Sequence, residues 1–235
     1  MASQIFIYRK NKNKKVQFFL VFLALFIIVS SIYAIINRSD GKTSLLPNFI
    51  LTAKEQEKNT NKVRAEKMIT VKKAAKGFFT HLRFADIPYD MSQLSFKDIQ
   101  ENDHKLIEFT GKPMLINLWA IWCVPCRAEM PELGQLKRDM SGENFDVIAI
   151  NIDKTASPEK IQQFLHEVHA DNLVYYRDET MNILQDIRKQ GLALGLPVTL
   201  LVDENGRLIA SFNGAAPWAN DDAKALIKAI TETTW

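Results

Sequence analysis

Polar and apolar positions along the chain divide it into three stretches of different character. Val16 to Ile36 is apolar all round, 21 residues without a charged side chain, which as a helix extends about 31 Å and so is long enough to cross a bilayer. A buried core helix rarely runs so far without a polar stripe. A basic start followed by an apolar stretch also describes a cleavable signal peptide, but this run is longer than such a segment needs. Cleavage after Ala34 would also put bulky Ile32 where a small residue is required. An uncleaved anchor is the better reading. Residues 37–77 are rich in Lys, Glu, Asn and Thr and read as a tether. Within it Ala53 to Lys76 combines good helix formers with Val63, Met68, Ile69, Val71, Ala74 and Ala75, which suits a solvated helix loosely packed on the domain.

From Phe78 onward the pattern is that of a layered α/β domain. Ser95–Ile99 and Lys105–Phe109 alternate around Asn102-Asp103 and predict a hairpin. Met114–Trp119 (MLINLW) and Val147–Ile152 (VIAINI) are short continuous apolar runs, as buried strands are. A helix is predicted between them over Pro125–Met140. Ser157-Pro158 supplies an N-cap and a first-turn proline for a helix to about Val168. Leu173–Tyr176 predicts a short strand, and Thr180–Lys189 a helix. Val198–Val202 and Leu208–Phe212 flank the turn Asp203-Glu204-Asn205-Gly206, and Asn220 caps a closing helix to about Thr231. This order predicts a mixed central sheet with flanking helices. No internal repeat interrupts it. The boundaries are a basic tail over 1–15, the anchor over 16–36, a linker with a possible helix over 37–89, and the α/β domain over 90–235.

Composition narrows the function. The 235 residues are 47% hydrophobic with 9 Gly, 8 Pro and 2 Cys, which excludes disorder throughout, a collagen and a disulfide-stapled scaffold. Arg9, Lys10, Lys12, Lys14 and Lys15 precede the apolar span, and removing those five charges from the net +3 leaves −2 over the other 220 residues. The basicity therefore belongs to the tail, and a nucleic-acid partner is set aside. Arg38, Asp40 and Lys42 on the far side nearly cancel. The positive-inside rule then keeps the N-terminus in the cytoplasm and puts residues 37–235 outside it.

Trp122-Cys123-Val124-Pro125-Cys126 holds both cysteines, directly after a predicted strand and at the start of a predicted helix. Two intervening residues let the sulfurs meet in a disulfide. The helix N-terminus, with unpaired N–H groups and a favourable dipole, stabilises the first thiol as a thiolate nucleophile. The same spacing serves zinc or copper, but there is no further Cys, and His81, His104, His166 and His169 do not supply the usual partner ligands. A purely structural disulfide closing so short a ring constrains little chain. Redox exchange is favoured.

The segment NLWAIWCVPCRAEMP (117–131), followed by GLPVTLLVDENGRL (195–208) and GAAPW (214–218), resembles the membrane-anchored thioredoxin-like TlpA/ResA/CcmG group over residues 90–235, and most closely alphaproteobacterial TlpA. The resemblance implies a thioredoxin-like fold and a periplasmic, inner-membrane thiol:disulfide oxidoreductase with one span and no cofactor beyond its cysteines. It implies that Cys123 attacks, Cys126 resolves, and Glu129 manages the proton of Cys126. Asn117 stands where thioredoxin has a buried aspartate, and an amide cannot take up that proton. Pro197 occupies the family's cis-proline position and Leu196 presents its backbone to a client. Trp122, Val124 and Pro125 complete the substrate contact, and Trp119 packs beside it. Pro131 is placed to kink the helix. Family clients are apocytochrome c cysteines, copper chaperones and the copper subunit of a terminal oxidase, with a transmembrane thiol carrier as electron donor. The competing reading is a metal-transfer protein holding copper on the cysteine pair, although related copper chaperones have wider cysteine spacing and a downstream histidine. A peroxidase is disfavoured because Ala120-Ile121-Trp122 lacks the threonine of its usual motif.

Overall fold

The computed structural model describes residues 62–233 and 235. They belong to a compact unit, Thr60–Trp235. The anchor over 16–36, the basic tail and the first part of the 53–76 helix lie outside the described residues. Among the described residues no helix is long and apolar enough to cross a membrane.

Eight strands form one mixed sheet: β1 (Arg83–Phe84), β2 (Ser95–Lys97), β3 (Asp103–Lys105), β4 (Met114–Trp119), β5 (Asp146–Asn151), β6 (Tyr176–Arg177), β7 (Val198–Val202) and β8 (Leu208–Asn213). Their spatial order is β1-β8-β7-β4-β5-β6-β2-β3. β4 and β5 run parallel, joined by the crossover helix α2 (Val124–Met140), and β7 runs antiparallel to β4 on its other side. α1 occupies residues 62–74. α3 (Pro158–Glu167), α4 (Asn182–Lys189) and α5 (Asp221–Thr231) complete the layers. All six residues of β4 are buried, as a strand covered on both faces requires.

Local chemistry sets most boundaries. Ser157 Oγ accepts from the Lys160 N–H, and Asn220 Oδ1 from the Ala223 N–H at 2.8 Å, capping α3 and α5. Asp203 Oδ1 gathers the N–H groups of Asn205 and Arg207 in the β7–β8 turn, where Gly206 sits at φ +77°. These elements agree with the sequence pattern.

The structure departs from the sequence pattern at four places. The hairpin pairs Ser95–Lys97 with Asp103–Lys105, and Leu106–Phe109, predicted as strand, is a 3-10 turn. Asp98 Oδ1 holds the N–H groups of Gln100 and Asn102, and Glu108 Oε1 that of Lys105, so carboxylates end both strands early. The strand predicted at Leu173–Tyr176 lies at Tyr176–Arg177. α4 starts at Asn182 rather than Thr180 because the Asp178 carboxylate takes the N–H groups of Thr180 and Ile183. The stretch over 62–89, read from sequence as linker with a loosely packed helix, belongs to the core instead. Met68, Val71, Ala75, Phe79 and Leu82 are all buried. Arg64 pins α1 to the β7–β8 turn by pairing with Asp203 at 3.2 Å and donating to the Leu208 carbonyl at 2.7 Å.

Candidate active site

The cysteines stand at the C-terminal end of β4. Cys123 is the N-cap of α2, and its Sγ accepts from the Cys126 N–H at 3.2 Å. The two are joined as a disulfide with Cα atoms 5.2 Å apart. Cys126 is fully enclosed, whereas Cys123 keeps 5% of its surface exposed. Around it Trp122 is 63% and Val124 76% exposed, and Pro125 is also exposed. A partner sulfur therefore meets Cys123 before Cys126, through an apolar rim.

The second wall comes from β7. Leu118 on β4 stands opposite Val198, so the segment entering β7 lies at the same sheet end as the loop carrying Cys123. The Leu196–Pro197 peptide bond is cis. The Pro197 carbonyl accepts from the Gly214 N–H at 2.9 Å. Among the described residues the backbone groups of half-buried Leu196 have no hydrogen-bond partner. They are thus free to pair with an extended peptide.

Beneath the disulfide lies a buried carboxyl. Glu129, one helical turn beyond Cys126, is 1% exposed. Its Oε1 accepts from Trp218 Nε1 at 2.6 Å and the Ala216 N–H at 3.1 Å, and its Oε2 from Asn117 Nδ2 at 3.0 Å. Asn117 is oriented in turn by donating to Thr199 Oγ1 at 2.9 Å. Burial opposes the charged form more strongly than these donors favour it, and the carboxyl is pushed up to about 7. It can therefore hold or release a proton near neutral pH.

Residues 89–227 match the Redoxin family, more than half of the chain. The chain belongs to the Redoxin family. This redoxin is 25% identical to the thiol-disulfide oxidoreductase ResA of Bacillus thuringiensis subsp. konkukian over 59% of its own length and 76% of that protein's. The ResA of Geobacillus thermodenitrificans is 24% identical over 65% and 83%. A crystal structure of a thiol:disulfide interchange protein DsbE from Chlorobium tepidum superposes with TM-score 0.51 at 25% identity, covering 62% of this chain and 98% of that one. These relatives support the ResA/DsbE-like group, and the fold is thioredoxin-like. With its disulfide at a helix N-terminus, the redoxin is a protein-disulfide oxidoreductase.

The structure brings Cys123, Cys126, Trp122, Val124 and Pro125 together at the head of α2, puts Leu196 and Pro197 at the same sheet end, and sets Glu129 below. Trp119 is buried and packs on Phe164 with ring centroids 5.4 Å apart, a core role. Pro131 lies inside α2, which continues to Met140. Among the described residues no three His, Cys, Asp or Glu side chains gather as a metal would require.

Sequence reasoning missed the hydrogen-bond partners of the buried carboxyl in this redoxin. Trp218, the last residue of the GAAPW segment, is fully buried and its indole N–H meets Glu129. The available signal was chemical: a buried indole N–H needs an acceptor. Asn213 was also missed. Its Oδ1 accepts from the Leu194 N–H at 2.7 Å and its Nδ2 donates to the Leu192 carbonyl at 3.0 Å, fixing the loop that leads to Leu196.

Proposed function

We propose that this chain is a membrane-anchored reductase of protein disulfides, acting outside the cytoplasm in the maturation of cytochromes or of a terminal oxidase. The observation that carries the mechanism is the unequal burial of the cysteines, with Cys123 at the exposed rim and enclosed Cys126 one turn from Glu129. In the disulfide form the Cys126 N–H already points at the Cys123 sulfur, and on reduction the α2 N-terminus favours Cys123 as thiolate. The thiolate attacks one sulfur of a client disulfide, and the other client sulfur leaves as a thiolate. Cys126 then passes its proton to the Glu129 carboxylate and attacks Cys123 Sγ. The Cys123–client bond breaks, the second client sulfur leaves as a thiolate, and the Cys123–Cys126 disulfide closes. Two electrons have moved to the client, whose thiolates take up protons.

The apolar span over 16–36 and the five basic residues before it support a single-pass anchor with the catalytic domain in the periplasm of a bacterial inner membrane. The resemblance to alphaproteobacterial TlpA favours copper-site thiols, on a copper chaperone or the oxidase copper subunit, over apocytochrome c thiols awaiting haem. A transmembrane thiol carrier replaces the electrons. The test is the equilibrium midpoint potential of the full chain, read by Trp fluorescence in dithiol/disulfide buffers. A value below about −200 mV supports a dedicated reductase, and one near about −120 mV, the range of strong periplasmic oxidants, overturns it.

A further inference from the structure

The carboxyl below the disulfide is held from the far side by a segment distant in sequence. Trp218 lies in the loop between β8 and α5, and no part of its surface reaches solvent. Its indole packs against Phe79, the ring planes tilted by 44° and the centroids 4.9 Å apart, and meets Phe212 edge-on at 6.1 Å. Phe79 is itself fully buried and belongs to the short 3-10 turn Gly77–His81 that continues from α1. That turn precedes the region matching the family, which begins at residue 89. The same loop is tied a second time to α2, because Glu132 Oε2 accepts from the Ala219 N–H at 3.0 Å. Phe79, Trp218 and Glu129 therefore form a contiguous file from the N-terminal segment to the helix of the cysteines.

We propose that Trp218 is a positioning residue for the thiol–disulfide exchange: backed by Phe79, it aims its indole N–H at Glu129 Oε1 and fixes the carboxyl that serves Cys126. The proposal rests on the reading of Glu129 as the proton acceptor for Cys126. The partners facing Glu129 from other elements are all uncharged: Asn117 on β4, and Ala216 and Trp218 on the loop. The titratable and charged groups flanking it on its own helix are Cys126, Arg127 and Glu132, and the Arg127 guanidinium lies over the Phe164 ring, 4.9 Å from its centroid. Among the described residues no charge partner shifts Glu129, so hydrogen bonds are what favour the ionised carboxyl against burial. A hydrogen bond donated to a carboxylate favours the charged form, so its removal raises the carboxyl's proton affinity. Phe79 acts at one remove, by denying the indole any other seat.

The test uses the full chain and Trp218→Phe, which keeps the ring contact with Phe79 and removes the N–H. The Glu129 carboxyl is followed by its carbon resonance, and exchange with a disulfide-containing peptide is timed across pH. The expected result is about tenfold tighter proton binding at Glu129 and a pH profile of exchange displaced upward, with the rate recovered at alkaline pH. A merely structural role would lower the rate without displacing the profile. An unchanged Glu129 titration in a folded Trp218→Phe protein overturns the proposal. If that variant does not fold, the indole N–H resonance of Trp218 in the unmodified protein decides: it moves with Glu129's titration if the proposal holds and is indifferent to pH between about 5 and 9 if it does not. Glu129→Gln separates the two layers. If neither variant alters the pH profile although Trp218→Phe shifts the carboxyl, the contact stands but the proton-acceptor reading fails, and the proposal with it.

Discussion

Asp153 Oδ2 accepts the backbone N–H of Ile121 at 2.8 Å, joining the loop that presents Trp122 and Cys123 to the segment leaving β5. The same oxygen takes Asn151 Nδ2 at 2.8 Å, and the Asp153 carbonyl accepts from Arg177 Nε and Nη2 at 3.1 and 2.8 Å. Asp153, buried and bonded through both its carboxylate and its backbone carbonyl, is the scaffold on which the active-site loop rests. Asp153→Ala leaves the Ile121 N–H without its partner and is expected to cost about 1–3 kcal/mol. Asp153→Asn, which keeps a carbonyl oxygen, should cost less. Urea unfolding of the oxidised proteins ranks the three, and equal midpoints would show that the loop does not depend on this contact.

Glu129 predicts a pH dependence of stability with a definite sign. Its carboxyl sits at about 7 in the fold against an ordinary 4.5. Between those values the folded protein holds a proton that the unfolded chain has released. Its contribution is therefore fully present below about pH 4.5 and is lost as pH rises through 7. The size is about 3 kcal/mol. Other acids act in the opposite direction: Asp98, for example, is lowered to about 2, first by the Asn102 amide. The informative quantity is accordingly the difference between the unmodified protein and Glu129→Gln, measured by denaturant unfolding at pH 4.5 and 8. A difference that does not change with pH contradicts the assignment.

What could be read from the sequence was what short-range chemistry encodes. The continuous run of β4, the Ser157-Pro158 start of α3, the Asn220 cap and the Asp203–Gly206 turn each announce themselves within a few residues. Where a carboxylate side chain outbid the alternation, as Glu108 does at Lys105, the predicted strand became a turn. The N-terminal packing was hidden because its buried stripe, Met68, Val71 and Ala75, is narrow and partly small. The cysteine pair was visible because its chemistry is local. The Trp218–Glu129 contact spans 89 positions, and no periodicity links residues so far apart.

At Gly134, α2 packs tightly against the segment following α3. A Cβ at this position would lie 3.0 Å from Ala170 Cα and 3.2 Å from Asn172 Oδ1. Asn172 is held there by donating to the Gly134 carbonyl at 3.0 Å. Replacing a helical glycine by alanine ordinarily gains up to about 1 kcal/mol. Crowding against backbone costs about 1–3 kcal/mol, so the steric effect wins. Gly134→Ala is expected to lower Tm by about 2–4 °C, and a rise would mean that the Ala170 segment moves aside freely.

The order of the two cysteines gives the sharpest chemical prediction. Cys123 has the exposed edge and the helix N-terminus, while Cys126 is enclosed behind it. A client sulfur can therefore bond to Cys123, and only Cys126 stands close enough to release it. Cys126→Ser removes the second step and keeps the first. Incubated with a peptide carrying a disulfide, it should accumulate a mixed disulfide that mass spectrometry resolves at Cys123 and dithiothreitol dissolves. Cys123→Ser should form no such adduct, because its remaining thiol is enclosed. Cys126→Ser with Glu129→Gln sharpens the assignment: the adduct should form at an undiminished rate, since the carboxyl serves the second step alone. A slower first step would move Glu129 from resolving the intermediate to activating Cys123. Adducts on Cys126 in place of Cys123 would reverse the roles of the two thiols.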